Sequence, residues 1–365
     1  MTVDRRHQFA TLDGLRGLAA IAVAILHMPR VFAGFTVPNA HLAVDFFLQL
    51  SGFVIAYAYS ARILNGMPFR QFLWLRVNRL YPAFAVGIAL GFPVALAALR
   101  YPHSGLSVEW TPASLACSTL QNVFMLPAFG CGQPETIFPL NPPMWSVFHE
   151  ILVNVAFFAL VPFLAYGRRV LPLIVVLFAV AASYAFMRDT FGFGYGWNDF
   201  LPGFVRVSAS FLVGFAIFKF KLVEGRRSNV ACAIAFALLA VALFLQLNNV
   251  AYELFAIVGL FPIALFIGQA NPSNGAVFWL CAQLGRTSYV LYAIHKPLYQ
   301  LAYGAILKFS PKLVDDLGIS LGCAMLAAIV LIAWLLSIGF EPPARAAMNR
   351  LRWRARLRRS AASPP

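Results

Sequence analysis

Ten apolar segments, each close to the length that crosses a lipid bilayer, are the feature that most limits how this 365-residue chain can fold. A membrane-spanning helix needs about 17–25 mainly apolar residues. The chain is 61% hydrophobic and 11% charged, whereas soluble chains have about 25% charged residues. We therefore predict an all-α fold, a polytopic transmembrane helical bundle of about ten spans. The predicted spans are 14–33, 42–61, 82–99, 144–165, 170–187, 201–218, 230–247, 251–268, 286–306 and 318–340.

Basic residues are concentrated in alternate connections between these segments. By the positive-inside rule, together with an even number of spans, we predict that both termini are cytoplasmic. We divide the chain into a membrane-embedded domain, residues 1–345, and a basic cytoplasmic tail, residues 346–365. The basic connections carry Arg5, Arg6, Arg62, Arg70, Arg76, Arg79, Arg168, Arg169, Lys219, Lys221, Arg226, Arg227 and the arginines from Arg345 to Arg359. The basic residues behind the net charge of +15 lie between apolar segments and are not clustered on a folded polar surface. We therefore predict no nucleic-acid partner.

The tail and the cysteines each leave two interpretations open. The stretch "RLRWRARLRRS" (350–360) either lies as a basic helix on anionic lipid or only fixes the topology. Cys117 and Cys131 share the long outer loop, residues 100–143, where a disulfide and two free thiols fit equally well. The five cysteines and six histidines have no metal-ligand spacing, so we predict no metal ion.

Ionisable residues inside the predicted spans are the main indication of function. A charge in a membrane-spanning helix costs about 2.5–3.5 kcal/mol on insertion scales, so such residues are functional candidates. In "LDGLRGLAAIAVAILH" (12–27), Arg16 and His27 are eleven positions apart. On a helix they share one face and are separated by about 16 Å. Arg16 then lies near the cytoplasmic side and His27 toward the outside.

Two carboxylates are predicted at the depth of His27. Asp45 lies in the first outer turn of the second span, and Glu150 lies about two turns into the fourth, which also enters from outside. For each residue alone, a structural hydrogen bond is a fair interpretation. Jointly the three residues favour a polar cavity in the outer third of the membrane.

Further polar residues have a structural and a functional interpretation. Arg76 and Arg79, one helical turn apart in "RVNRLYP" (76–82), either bind a phosphate or anchor the helix at the cytoplasmic surface. Arg206, inside the sixth span, requires a carboxylate or phosphate partner. His295, followed by Lys296 and Pro297, either satisfies the carbonyl that proline frees near Tyr292 or Ala293 or has a functional role.

Five segments, in this order, resemble the acyltransferase-3 family of integral membrane acyltransferases. They are "LDGLRGLAAIAVAILH", "VDFFLQLSGFVIA" (44–56), "RVNRLYP", "PMWSVFHEILVNVAFF" (143–158) and "LGRTSYVLYAIHKPL" (284–298). The first two together are quite specific, and the resemblance covers nearly the whole chain. Gln49 is a departure, since this family more often has a bulkier aliphatic residue or valine there.

The resemblance implies an enzyme of a bacterial cytoplasmic (inner) membrane that takes an acyl group from cytoplasmic acyl-coenzyme A. The group is delivered to a hydroxyl of an extracytoplasmic saccharide or a lipid-linked glycan, as in polysaccharide O-acetylation. Acetyl-coenzyme A is the commonest co-substrate, and no permanently bound cofactor is implied; membrane lipid is the other partner. Many relatives carry an extra SGNH-hydrolase-type domain; this chain shows none, so we expect transfer to be completed within the membrane domain.

The resemblance also suggests roles for the candidate residues. Arg16, Arg76 and Arg79 would hold the phosphates of coenzyme A. His27 would deprotonate the acceptor hydroxyl or be briefly acylated, with Asp45 or Glu150 orienting it. The residues expected to line the acyl or sugar pocket are Trp145, Ser146, Arg206, Tyr292 and His295.

A transporter or flippase for a small anion or a lipid-linked sugar is the alternative from another functional class. In that hypothesis His27, Asp45 and Glu150 form a proton relay. The arginine pair favours the acyltransferase, because an enzyme that uses acyl-coenzyme A needs a phosphate site and a carrier does not. The acceptor stays open among O-antigen, exopolysaccharide, peptidoglycan precursor, lipid-linked oligosaccharide and a small hydrophobic molecule.

Overall fold

The computed structural model describes residues 9–101, 109–133, 135–165, 168–220, 226–247 and 249–362, with side chains to residue 351. Within these ranges the regular structure is helical and no strand is present. The helices are α1 (Ala10–Leu26), α2 (Ala43–Leu64), α3 (Phe69–Arg100), α4 (Pro112–Val123), α5 (Met144–Leu164), α6 (Val170–Arg188), α7 (Phe200–Phe220), α8 (Asn229–Phe244), α9 (Val250–Phe255), α10 (Phe261–Ile267), α11 (Gly275–Phe309), α12 (Lys312–Leu317), α13 (Ile319–Gly339) and α14 (Glu341–Ala362).

Every predicted span overlaps a helix, and the chain is a multi-pass membrane protein. Seven helical segments of the described chain are long and apolar enough to cross a bilayer. They are Ala40–Leu64, Phe69–Arg100, Met144–Leu164, Val170–Arg188, Phe200–Phe220, Val250–Ile267 and Ile319–Leu351. Two further segments, α1 and α8, are shorter, at 17 and 16 residues.

Two helices are much longer than the apolar stretches that predicted them. Helix α3 begins at Phe69 rather than near 82, and α11 begins at Gly275 rather than near 286. Arginine, glutamine and leucine are good helix formers, so the polar turns that precede the apolar part continue the helix. As a result Arg76 and Arg79 lie on α3 itself, within reach of the bundle interior.

Glycines allow two pairs of helices to approach closely. A Cβ added to Gly52 on α2 would lie 1.9 Å from the carbonyl oxygen of Phe211 on α7, and one added to Gly214 would lie 1.7 Å from that of Gln49. Such close backbone approach at small residues is typical of helices packed in membranes. On α1 and α11, Gly17 and Gly285 have the same role. These contacts place α1 along α11 and α2 along α7.

Gln49 stabilises an irregular turn between α9 and α10. Residues Ala256–Leu260 form one turn of π-helix, in which backbone hydrogen bonds join residues five apart instead of four. The Gln49 side chain donates a hydrogen bond of 2.7 Å to the carbonyl of Ile257. The polar residue that departs from the family pattern thus has a structural partner in this chain.

The loop disulfide and the course of the C-terminal helix bear on two of the open interpretations. Cys117 and Cys131 are joined by a disulfide, which connects α4 to the loop that follows it. Helix α14 runs without interruption across the predicted boundary between residues 345 and 346. The side chains of residues 352–365 lie outside the described part of the chain, so the role of the basic tail stays a prediction.

Candidate active site

Two cavities follow one another along the axes of α1, α2, α5 and α11. The first, the arginine cavity, has a volume of about 150 Å³. It is lined by Arg16, Phe47, Leu48, Leu50, Ser51, Val54, Ile55, Arg76, Arg79, Leu80, Ser146, Val147, Glu150, Ser288, Tyr289 and Tyr292. Three of the lining side chains are arginines predicted from the sequence, and they come from α1 and α3.

Two of these arginines are paired with carboxylates. Arg76 donates to Glu150 at 2.8 Å, and Glu150 also accepts from Ser51 at 2.6 Å. Arg79 donates to Glu341 at the start of α14, at 3.0 Å, and Arg345 donates to the same carboxylate. Nε of Arg76 is buried, and no described residue provides a hydrogen-bond partner for it.

Arg16 is held by the close packing of α1 on α11. Its guanidinium donates to the carbonyl of Gly285 at 2.6 Å and to the hydroxyl of Ser288 at 2.7 Å. It also pairs with Asp13, one turn earlier, at 3.0 Å. The charge of Arg16 inside the bundle is therefore partly balanced, and its orientation toward the arginine cavity is fixed.

The second cavity, the histidine cavity, has a volume of about 270 Å³. It is lined by Val23, Leu26, His27, Ala40, His41, Val44, Pro142, Pro143, Trp145, Gly192, Tyr195, Arg206, Tyr292 and Lys296. His27 lies directly after the last residue of α1, about 16 Å along the helix from Arg16. His27 therefore borders a cavity, but neither of the two carboxylates that the sequence predicted beside it, Asp45 and Glu150, is among the lining residues.

His27 and His295 are in direct contact, at 3.2 Å between Nδ1 of His27 and Nε2 of His295. Nδ1 of His27 also lies 2.9 Å from the carbonyl of Val23, while Nδ1 of His295 lies 3.1 and 2.9 Å from those of Leu291 and Tyr292. A carbonyl oxygen only accepts, so each Nδ1 carries a proton. In the neutral rings, Nε2 of His295 accepts from His27, and Nε2 of His27 keeps its lone pair.

Tyr292 lines both cavities and separates them. Its hydroxyl lies 2.7 Å from the hydroxyl of Ser146 and donates to the carbonyl of Pro143 at 3.0 Å. The ring packs edge-on against Phe47 at 5.5 Å between centroids. Of the predicted pocket residues, Trp145 lines the histidine cavity and Ser146 the arginine cavity.

The predicted contact of His27 with Asp45 is not present. Asp45 is buried against Arg206, whose Nη2 lies 2.5 Å from Oδ2, and it also accepts from Ser210 at 2.8 Å. The prediction that Arg206 needs an anionic partner is confirmed, and that partner is Asp45. Because α2 packs on α7 through glycines, the carboxylate is directed to α7 and away from α1.

The predicted position of Glu150 is also wrong. Trp145, at the start of α5, lies at the level of the histidine cavity. Glu150 is five residues further along, which is about 7.5 Å on a helix, and this brings it into the arginine cavity. The structure therefore brings together Arg16, Arg76, Arg79 and Glu150 in one cavity, and His27 and His295 in the other.

The backbone carbonyl that Pro297 leaves without an N–H partner is satisfied by a residue that the sequence did not indicate. Proline has no N–H for the carbonyl of Ala293, four residues earlier. Asn141 donates to that carbonyl at 2.7 Å. His295 donates to carbonyls one turn before it and also reaches His27, so it has both a structural contact and a contact with the candidate base.

Two lining residues were missed as candidates. His41 precedes α2 and bonds to Glu253 at 2.9 Å, and that carboxylate also accepts from the backbone N–H of Phe191. Residues 41 and 253 are too far apart in sequence for any pattern to join them. Lys296 adjoins His295 in sequence, and the unusual charge in an apolar segment was the signal that could have found it. Within the described residues, no three histidine, cysteine or acidic side chains form a possible metal site.

Comparison with known proteins identifies relatives of the chain. Residues 9–338 match the sequence model of the acyltransferase-3 family, described as an acyltransferase domain. "Protein 2 in picA locus" of Rhizobium radiobacter is 34% identical over 163 residues, which are 43% of this chain and 84% of that protein. No solved structure gives a significant match.

Proposed function

The chain belongs to the acyltransferase-3 family, and from this premise we propose that it is a membrane O-acyltransferase that uses acyl-coenzyme A. The acyl group, most often acetyl in this family, passes to a hydroxyl of an extracytoplasmic or lipid-linked saccharide, with His27 as base. The observation that carries the proposal is the state of His27. Its Nδ1 proton is engaged by Val23, and Nε2, the atom left to accept a proton, has no hydrogen-bond partner within the described chain.

The arginine cavity fits the phosphates of the donor. Arg16, Arg76 and Arg79 present guanidinium groups, which bind phosphate oxygens in a fixed, bidentate geometry. The unpartnered Nε of Arg76 is a donor that a phosphate oxygen would satisfy. Arg79 donates to Glu341, so an incoming phosphate competes with this carboxylate.

The donor reaches His27 by extending from one cavity into the other. The distance of about 16 Å between Arg16 and His27 suits the long, thin pantetheine arm of coenzyme A. Tyr292 lies on this path, so we propose that its side chain moves when the thioester passes. A bundle interior also excludes water, which protects the thioester from hydrolysis.

In the proposed reaction, Nε2 of His27 accepts the proton of the acceptor hydroxyl as its oxygen attacks the thioester carbonyl carbon. The carbon–sulfur bond then breaks, and the coenzyme A sulfur takes the proton from Nε2. His295 is a positioning residue: its Nε2 accepts from Nδ1 of His27 and so stabilises the transient imidazolium. This is the role that the sequence had suggested for Asp45 or Glu150. An acyl-His27 intermediate would use the same atom.

We further propose that all ten predicted segments cross a bacterial inner membrane and that both termini are cytoplasmic. This orientation follows from the basic residues of alternate connections. It places the arginine cavity on the cytoplasmic side, where acyl-coenzyme A is found, and the histidine cavity on the outer side. The disulfide of Cys117 and Cys131 then lies in the oxidising compartment.

The donor site can be tested with coenzyme A alone. We expect Arg79→Gln to weaken coenzyme A binding by about 10–100-fold, because a hydrogen bond to a charged group contributes about 1.5–3 kcal/mol. The variant should fold, since Glu341 keeps Arg345 as a partner. Binding is measured as thermal stabilisation of the purified protein over a concentration series.

Arg62→Gln is the matched control, because Arg62 is exposed on α2 and lies outside both cavities. This variant should bind coenzyme A as the wild type does. Equal stabilisation of the Arg79→Gln protein and the wild type would remove Arg79 from the donor site.

A further inference from the structure

Lys296 is a cation without a partner in the histidine cavity. It lies on α11 directly after His295, and its side chain forms no hydrogen bond or ion pair within the described part of the chain. Lysine in a membrane bundle usually pairs with a carboxylate or lies at the surface. Lys296 does neither, since it is only partly exposed and faces the cavity.

Apart from His27, the other side chains of this cavity that can carry a positive charge are already engaged. Arg206 is neutralised by Asp45, and His41 is bonded to Glu253. Among the described residues that line the cavity there is no aspartate or glutamate. The cavity therefore has an uncompensated positive charge, which attracts an anionic group and disfavours a second cation.

Aromatic rings form other parts of the same wall. Trp145, Tyr195 and Tyr292 line the cavity together with Lys296. Aromatic side chains offer flat apolar faces and polar edges, a combination that packs on sugar rings while leaving hydroxyls free to hydrogen-bond. A saccharide with an anionic substituent matches both the rings and the lysine.

We infer that the histidine cavity binds an acidic saccharide, whose carboxylate or phosphate is held by Lys296 while a hydroxyl of the same molecule lies at His27. This deepens the proposed function, on which it rests, by naming the class of acceptor. The phosphates of the donor do not explain Lys296, because their proposed site is the arginine cavity on the other side of Tyr292. A structural role does not explain it either, because the ammonium group bonds to no acceptor among the residues that the structure describes.

The test measures binding of three sugars to the purified full-length protein in detergent, without acyl donor. The probes are p-nitrophenyl β-glucuronide, glucose 1-phosphate and p-nitrophenyl β-glucoside, followed by equilibrium dialysis. The proteins are the wild type, Lys296→Met, Lys296→Gln and Lys308→Met. Lys308 is the matched control because it lies on the same helix and is exposed.

We expect the wild type to bind at least one acidic probe about tenfold or more tightly than the neutral glucoside. The preferred probe then distinguishes a carboxylate from a phosphate as the natural group. The preference should fall to about twofold or less in Lys296→Met and stay unchanged in Lys308→Met. Lys296→Gln, which keeps a polar side chain, provides the same comparison if Lys296→Met does not fold.

Three results would overturn the inference: equal binding of acidic and neutral probes by the wild type, no binding of any acidic probe, or a preference that persists without Lys296. Coenzyme A binding, measured on the same samples, separates the two proposals. A lysine-dependent sugar preference without coenzyme A binding would refute the donor site and leave the acidic-sugar site standing. Coenzyme A binding without a sugar preference would refute the acidic-sugar site and leave the donor site standing.

Discussion

Substitution of His27 by glutamine is expected to reduce acyl transfer at least about 100-fold while the protein remains in the membrane at the wild-type level. General-base catalysis contributes about 10²–10⁴ in rate, and glutamine has no group that accepts a proton near neutral pH. Glutamine is close to histidine in size and keeps a polar amide, so the substitution leaves no large void at the end of α1. The measurement is transfer of labelled acetyl from acetyl-coenzyme A in membrane vesicles.

His149→Gln is the control for this loss. His149 is also a histidine within a membrane helix, and it bonds to the carbonyls of Trp145 and Phe200, but it lines neither cavity. In vesicles that contain equal amounts of each variant, the His149→Gln protein should transfer more labelled acetyl than the His27→Gln protein. Full transfer by His27→Gln protein would show that His27 is not the base.

Substitution of Arg206 by methionine is expected to have the largest effect on folding. Arg206 and Asp45 are both almost fully buried, and removing one partner of such a pair costs about 3–5 kcal/mol because the other charge stays unpaired. Replacing both partners with apolar residues of similar size is often neutral. Asp45→Leu/Arg206→Met protein should therefore recover most of the folded yield that Arg206→Met loses.

The yield is measured by size-exclusion chromatography of the solubilised protein, together with its thermal midpoint. Similar yields of Arg206→Met and the wild type would show that the pair does not stabilise the packing of α2 on α7. A double variant as unstable as the single one would show that Arg206 acts through its other bonds, to the carbonyls of Phe193 and His41.

The first helix shows how far the sequence alone leads. Costly charges in an apolar segment identified Arg16 and His27, and their spacing of eleven residues predicted a common face. Both side chains do face cavities, Arg16 from the first half of α1 and His27 from directly after its last residue. The helical fold was predictable from the apolar segments, because a segment of about 17–25 mainly apolar residues is what a membrane-spanning helix requires.

The partners of these residues were not predictable. His27 meets His295, 268 positions away, because glycines allow α1 to lie along α11. Glu150 was assigned to the wrong cavity because the depth of a residue depends on how far its helix enters the bundle, which hydropathy does not fix. The Asp45 carboxylate is directed to α7 rather than to α1, since the packing of α2 on α7 decides its direction.

The same contacts weaken the proton-relay alternative. A relay needs titratable groups within hydrogen-bonding distance of one another or of shared water. Asp45 is engaged by Arg206 and Ser210, while Glu150 is engaged by Arg76 and Ser51 in the other cavity. His27 contacts neither carboxylate, so the three groups belong to three separate clusters.

The measurement that tests the central claim most directly is transfer across inverted bacterial membrane vesicles that contain the protein. Acetyl-labelled coenzyme A is supplied on the outside, which is the cytoplasmic face in inverted vesicles, and the label is followed into glycan and lipid fractions. We predict label in one of these fractions with the wild type and a loss of about 100-fold or more with His27→Gln. Equal labelling by the two proteins, or labelling only when the donor is supplied to the opposite face, would contradict a reaction that begins at the arginine cavity and ends at His27.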